Sequence, residues 1–134
     1  MILPNDTTIA VVDGEKLRLF RNKDNEPRIR LAEETVASIQ PSNQGSGARH
    51  RSISANPDRW RLKEDDFAAS AATHLNRLTL DGTIGSLFVI ADPRTLGELR
   101  RHFHDVTTEN LIGELARDLT GSSVEKIEAA LAKA

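Results

Sequence analysis

Between Gly45 and Lys63 the charge is one-sided: Arg49, Arg51, Arg59, Arg61 and Lys63 stand against one acid, Asp58. Five cations less one anion give +4 over 19 residues; the whole chain carries −2, so the other 115 residues carry −6. Guanidinium groups on a glycine- and serine-rich segment suit phosphate, through ion pairs and through backbone N–H groups that glycine leaves accessible. The candidate binding residues are Gly45, Gly47, Arg49, His50, Arg51, Arg59 and Arg61. Gly45-Ser46-Gly47 is not a nucleotide P-loop, because no Gly-Lys-Ser/Thr follows it. The competing reading is a solvated loop whose arginines balance acidic neighbours. Trp60 is the sole tryptophan and suits an anchor of this loop on the following helix better than a base-stacking platform.

Two further places carry chemistry on paper. Asp92 follows the apolar run Leu87–Ala91, and the carboxyl end of a buried strand is where open α/β sheets place their sites. Asp92-Pro93 is also a helix-capping pair, which explains it without catalysis; Arg94 beside it is a secondary binding candidate. His102, His104 and Asp105 invite a metal reading. Side chains at i and i+2 on a helix diverge by about 200°, so a polar helix end near Arg100 and Arg101 is the better account. No metal site and no cofactor are expected. His50 and His74 stand alone, and no Gly-x-Ser-x-Gly elbow supports a serine triad. The absence of cysteine excludes disulfides, thiolate zinc sites and cysteine nucleophiles.

The elements that must position these residues follow from periodicity. Residues 7–22 read as a hairpin turning at Asp13-Gly14, a type I′ pair, and Arg28–Leu31 alternates as a third strand. The first forty residues thus predict an antiparallel meander. Residues 40–60 read as a loop longer than the roughly 12–15 residues that compact domains tolerate without a purpose. A helix is expected from Leu62 to Leu80, with Phe67, Ala71, Leu75 and Leu78 inward and Glu64, Asp65 and Asp66 near its first turn. Gly82 can end it. Ser86–Ala91 reads as a strand buried on both faces, followed by a helix capped by Asp92 with Leu96, Leu99 and Phe103 inward. Glu109–Leu119 fits helix or strand equally. Ser122-x-x-Glu125 is a capping box for a last helix reaching Lys133.

The order predicts an α/β fold: one domain over residues 1–134, a mixed sheet with an N-terminal antiparallel meander, and helices packed on it. A length of 134 residues suits one domain. The near-neutral balance of 18 Lys+Arg and 20 Asp+Glu argues against a general polyanion coat, yet leaves a local phosphate contact open. The N-terminal stretch has no basic region and its apolar part ends at Pro4, so a cytoplasmic location and no membrane partner are expected.

Four blocks in order resemble the bacterial host attachment protein family: Thr8-Ile-Ala-Val-Val-Asp-Gly-Glu-Lys-Leu-Arg-Leu-Phe20, Gly45-Ser-Gly-Ala-Arg-His-Arg-Ser-Ile-Ser-Ala-Asn-Pro57, Val89-Ile-Ala-Asp-Pro-Arg-Thr-Leu-Gly-Glu-Leu-Arg-Arg101 and Gly113-Glu-Leu-Ala-Arg-Asp-Leu-Thr-Gly121. The resemblance implies a fold similar to the central domain of archaeal and eukaryotic peptide-chain release factors and Pelota, which makes residues 110–117 a strand. In release factors a loop between a strand and a long helix carries Gly-Gly-Gln. The comparable stretch here is Asn43-Gln44-Gly45-Ser46-Gly47-Ala48-Arg49-His50, where the glutamine precedes the glycines. Binding rather than peptidyl-tRNA hydrolysis is therefore expected. The readings that follow are an indirect part in host attachment, a release-factor-like contact with RNA or the ribosome, and a hydrolase using His50 or Asp92. RNA, the ribosome or a protein are the expected partners.

Overall fold

The computed structural model describes residues 4–24, 29–34 and 59–133, the side chains of residues 59–64 excepted. Gly45, Gly47, Arg49, His50 and Arg51 lie outside the described residues, as do the side chains of Arg59, Trp60 and Arg61.

The run Thr8-Ile-Ala-Val-Val12 forms strand β1, buried at every position. Both its edges are paired: antiparallel with β2 (Leu17–Asn22) and parallel with β4 (Leu87–Ala91). β2 also pairs antiparallel with β3 (Leu31–Glu34), and β4 pairs parallel with β5 (Leu111–Ala116). The sheet is five-stranded and mixed, in the order β3-β2-β1-β4-β5. The expected meander is therefore present, and residues 111–116 are strand.

Side chains two apart on a strand share a face. Ala10, Val12, Leu19, Val89 and Ala91 face helices α1 (Arg59–Leu80) and α2 (Pro93–His102). Ile9, Val11, Phe20, Phe88 and Ile90 face helix α4 (Val124–Lys133) through Ile127 and Leu131. A short helix α3 (Asp105–Glu109) joins α2 to β5. The result is three layers, helix–sheet–helix, around two apolar cores. Phe20 and Phe88 are fully buried, and truncating either to alanine should cost about 3–5 kcal/mol.

Several boundaries differ from expectation, each for a physical reason. α1 starts at Arg59 rather than Leu62, so Arg59 and Arg61 belong to its first turn and not to a loop. Once Ala68, Ala71, Ala72 and Leu75 are packed, each residue added at the front costs little, and nothing from Arg59 to Leu62 breaks a helix. The acids Glu64–Asp66 consequently lie beyond the first turn, which contains none. The Asp13-Gly14 turn is not type I′. Asp6 and Gly82 are the positive-φ residues among those described, and a I′ turn needs positive φ at both central positions. Instead Asp13 Oδ1 accepts from Glu15 N–H (2.7 Å) and Lys16 N–H (2.6 Å), closing a longer loop. The third strand lies at Leu31–Glu34, three residues further along than the alternating Arg28–Leu31 and sharing Leu31 with it; Ile29 still packs on the α4 core. Gly82, at φ 86°, ends α1 as expected.

Candidate functional site

The parallel strands β1, β4 and β5 end side by side, Val12 opposite Ala91 and Ala91 opposite Ala116. This sets Asp13, Asp92 and Arg117-Asp118 along one edge of the sheet, the place expected for a site. Asp92 has extended backbone (φ −63°, ψ 159°) and caps α2, with Pro93 beginning the helix. Its Oδ2 accepts from Thr95 N–H at 3.2 Å and its Oδ1 from the Thr95 hydroxyl at 2.6 Å. Both carboxylate oxygens are thus engaged within the helix start, and the capping role read from Asp92-Pro93 is the one observed.

Arg94, one residue into α2, donates through Nη2 to Asp65 Oδ2 at 2.9 Å. Asp65 lies on α1, six residues after its first residue, so this pair brings the starts of α1 and α2 together at the carboxyl edge. Arg59 and Arg61 enter the fold there, about 9 Å and about 6 Å along the helix axis from Asp65 at 1.5 Å per residue. Arg94 and these two arginines are therefore placed at one end of the molecule by their helices.

A second set of residues closes the other side of the same edge, and none was legible as a group. Between β5 and α4 the chain crosses back towards β1 and β2. The Thr120 hydroxyl lies 2.7 Å from Asp13 Oδ2 and 2.9 Å from Asp118 Oδ1. Arg18 of β2 donates through Nη1 to the carbonyls of Thr120 (3.0 Å) and Ser122 (2.8 Å). Its Nε and Nη2 bind the Glu33 carboxylate at 2.9 and 3.0 Å, and its guanidinium carbon stands 4.9 Å over the Phe20 ring. That ion pair holds the Glu33 carboxyl below its ordinary range, first through the hydrogen bond from Arg18. Arg18 and Ser122 are 104 positions apart, so no local pattern could pair them. The cap of α4 lies one residue later than the capping box predicts: the Ser123 hydroxyl, not that of Ser122, accepts from Lys126 N–H at 3.3 Å.

The histidines play separate parts. His104 Nδ1 accepts from Val106 N–H at 3.1 Å and caps α3, a helix the sequence pattern did not reveal. His102 stands 3.9 Å from Glu98. Asn76 of α1 fastens this corner: its amide donates to the His102 carbonyl (2.9 Å) while its carbonyl oxygen accepts from His104 N–H (2.8 Å) and the Thr107 hydroxyl (2.6 Å). The further α2 arginines are paired, Arg100 with Glu114 and Arg101 with Glu98, so they do not form a free basic face. Among the described residues, no three His, Cys, Asp or Glu side chains gather to hold a metal ion, and no helix is long and apolar enough to cross a membrane.

The carboxyl edge thus offers placement more than bond-making: its carboxylates cap, turn and tie. No curated protein matches the chain significantly in sequence. A family model does match, over residues 6–131, which takes in every strand and every helix but the last two residues of α4. It concerns release factors, so the fold expected from the resemblance is supported while host attachment is not. The chain belongs to bacterial archaeo-eukaryotic release factor family 12.

Proposed function

We propose that the chain, read as one domain over residues 1–134, is a release-factor-like module that binds ribosomal RNA or tRNA in the cytoplasm and does not itself cleave the peptidyl-tRNA ester. Membership of a release-factor family is the observation that carries this reading. The sequence supports the second half: Gln44 precedes Gly45-Ser46-Gly47, and no Gly-Gly-Gln occurs in the chain. The phosphate contacts fall to Gly45, Gly47, Arg49, His50 and Arg51, with Arg59 and Arg61 continuing them onto the start of α1 and Arg94 nearby. Any part in host attachment would be indirect, through translation. A hydrolase built on Asp92 is disfavoured because both its carboxylate oxygens serve the α2 cap.

Cosedimentation with ribosomes and filter binding of tRNA test the reading. Binding should weaken steeply with salt, and Arg49→Ala/Arg51→Ala should lower the slope of log K against log salt by about 1.5, as two lost phosphate contacts require. Peptidyl-tRNA incubated with the protein should stay intact. Failure to associate with ribosomes or tRNA at low salt overturns the proposal.

A further inference from the structure

We propose that the open edge of β5 pairs antiparallel with the β5 of a second copy of this chain, joining two five-stranded sheets into one. β5 is an outer strand, and among the described residues nothing pairs with its far side. The phase of the ladder shows which groups that side presents. Leu87 N–H donates to the Asn110 carbonyl at 2.9 Å. Leu87, Val89 and Ala91 therefore turn their N–H and C=O groups towards β5, and a parallel ladder leaves the residue opposite each of them facing away. Those residues are Leu111, Glu114 and Ala116.

Edge strands that stay single carry blocking features: charge, proline, a bulge or shortness. The opposite edge, β3, shows two of them, with four residues ending in Glu33-Glu34. β5 has six residues without lysine or proline, and the irregularity in its pairing lies at its beginning, before Gly113. Its one charge, Glu114, is bound on its own molecule by Arg100.

Such an edge specifies its occupant: an extended chain whose own N–H and C=O groups stand free. A second β5 is such a chain, and a twofold axis requires the pairing to match itself. With the axis at Leu115, Glu114 of each copy lies opposite Ala116 of the other, and each of these pairs exchanges two backbone hydrogen bonds. Between them the two Leu115 side chains, half-buried on the α4 side, meet in a close pair with Cα atoms about 4.5 Å apart. Each glutamate then lies beside an exposed alanine, not beside its own counterpart. An axis at Glu114 would oppose the two carboxylates and leave one reciprocal pair in the regular stretch, so charge and hydrogen bonding select the same register.

Sedimentation equilibrium and amide exchange of the full chain test this. The apparent mass should rise towards the dimer between about 10 μM and about 1 mM, the range of a small reversible interface. Over that range the Glu114 and Ala116 amides should gain protection, while the Leu115 amide, turned to β4, stays protected throughout. Ala116→Pro removes an outward N–H that its own sheet does not use; association should weaken at least about tenfold with the melting temperature close to wild type. The chain has no cysteine, so an introduced thiol reports the axis. On air oxidation Leu115→Cys should form a covalent dimer, and Ala116→Cys, whose two copies lie diagonally, far less. A wild-type chain that stays monomeric throughout, association undiminished in Ala116→Pro, or Ala116→Cys cross-linking as readily as Leu115→Cys overturns the proposal.

Discussion

Replacing Asp92 by alanine separates a structural carboxylate from a functional one. The substitution removes the acceptor for Thr95 N–H and for the Thr95 hydroxyl, and Thr95 is only 6% exposed. Loss of an N-cap costs about 1 kcal/mol. Stranding a buried hydroxyl adds about 1 kcal/mol, and removing negative charge from the amino end of α2 adds about 0.5 kcal/mol. The terms overlap, so about 2 kcal/mol is expected. With a urea m-value of about 1.5 kcal/mol/M, the midpoint should fall by about 1.3 M at constant slope. Asp92→Asn keeps one good acceptor in the same place and should lose about half as much. Ribosome association per folded molecule should not change in either variant. If Asp92→Ala unfolds at the wild-type urea concentration, or if Asn is no better than Ala, the capping account fails. Unchanged stability combined with lost RNA binding would make Asp92 a site residue.

Three other expectations follow from the same geometry. Arg18→Gln should release the segment before α4, costing about 1.5–2 kcal/mol after discounting the partly exposed ion pair with Glu33; amide exchange at residues 119–123 should rise first, and protection there equal to wild type would refute the tie. Asn76→Ala leaves His104 N–H and the buried Thr107 hydroxyl without their acceptor, so the melting temperature should drop by an amount corresponding to about 2 kcal/mol, and an unaffected melt would show that α3 is held otherwise. Burial, and then the charge of Arg77, hold the His74 imidazole below its ordinary 6.5. The unfolded chain therefore binds this proton first, and stability should decline as pH falls from about 7 through the unfolded value, levelling off once the folded imidazole is also protonated. His74→Gln should flatten that decline; parallel stability–pH curves for the two proteins would contradict it.

Local chemistry made some elements readable and left others hidden. The α2 cap was legible because Asp92, Pro93 and Thr95 are neighbours in sequence, and capping needs nothing else. β1 and β4 were legible because burial on both faces forces continuous apolar runs. β5 was not, since Leu111 packs on one core and Leu115 on the other across an irregularity in its pairing with β4, which spoils either periodicity. Asp13-Gly14 misled because aspartate can also close a turn with its side chain, and that option prevails here. Of the candidate site, Asp92 and Arg94 were visible, but Arg18, Asp13 and Thr120 meet across more than a hundred positions. Only the folded sheet brings them together.

The place of β1 in the sheet has a consequence during synthesis. Its partner on one side follows at once, Val12 beside Leu17, while its partner on the other side, Leu87 beside Thr8, comes 79 positions later. As the chain leaves a ribosome, the β1–β3 meander is complete at Glu34, yet one edge of its most apolar strand has no neighbour until Ala91 has been made. At about 5–20 residues per second, those 57 residues take about 3–11 s. For that time the nascent chain presents an open row of amides beside Ile9, Val11 and Val12, an interval in which a chaperone, or a second nascent chain, competes with β4 for the same edge.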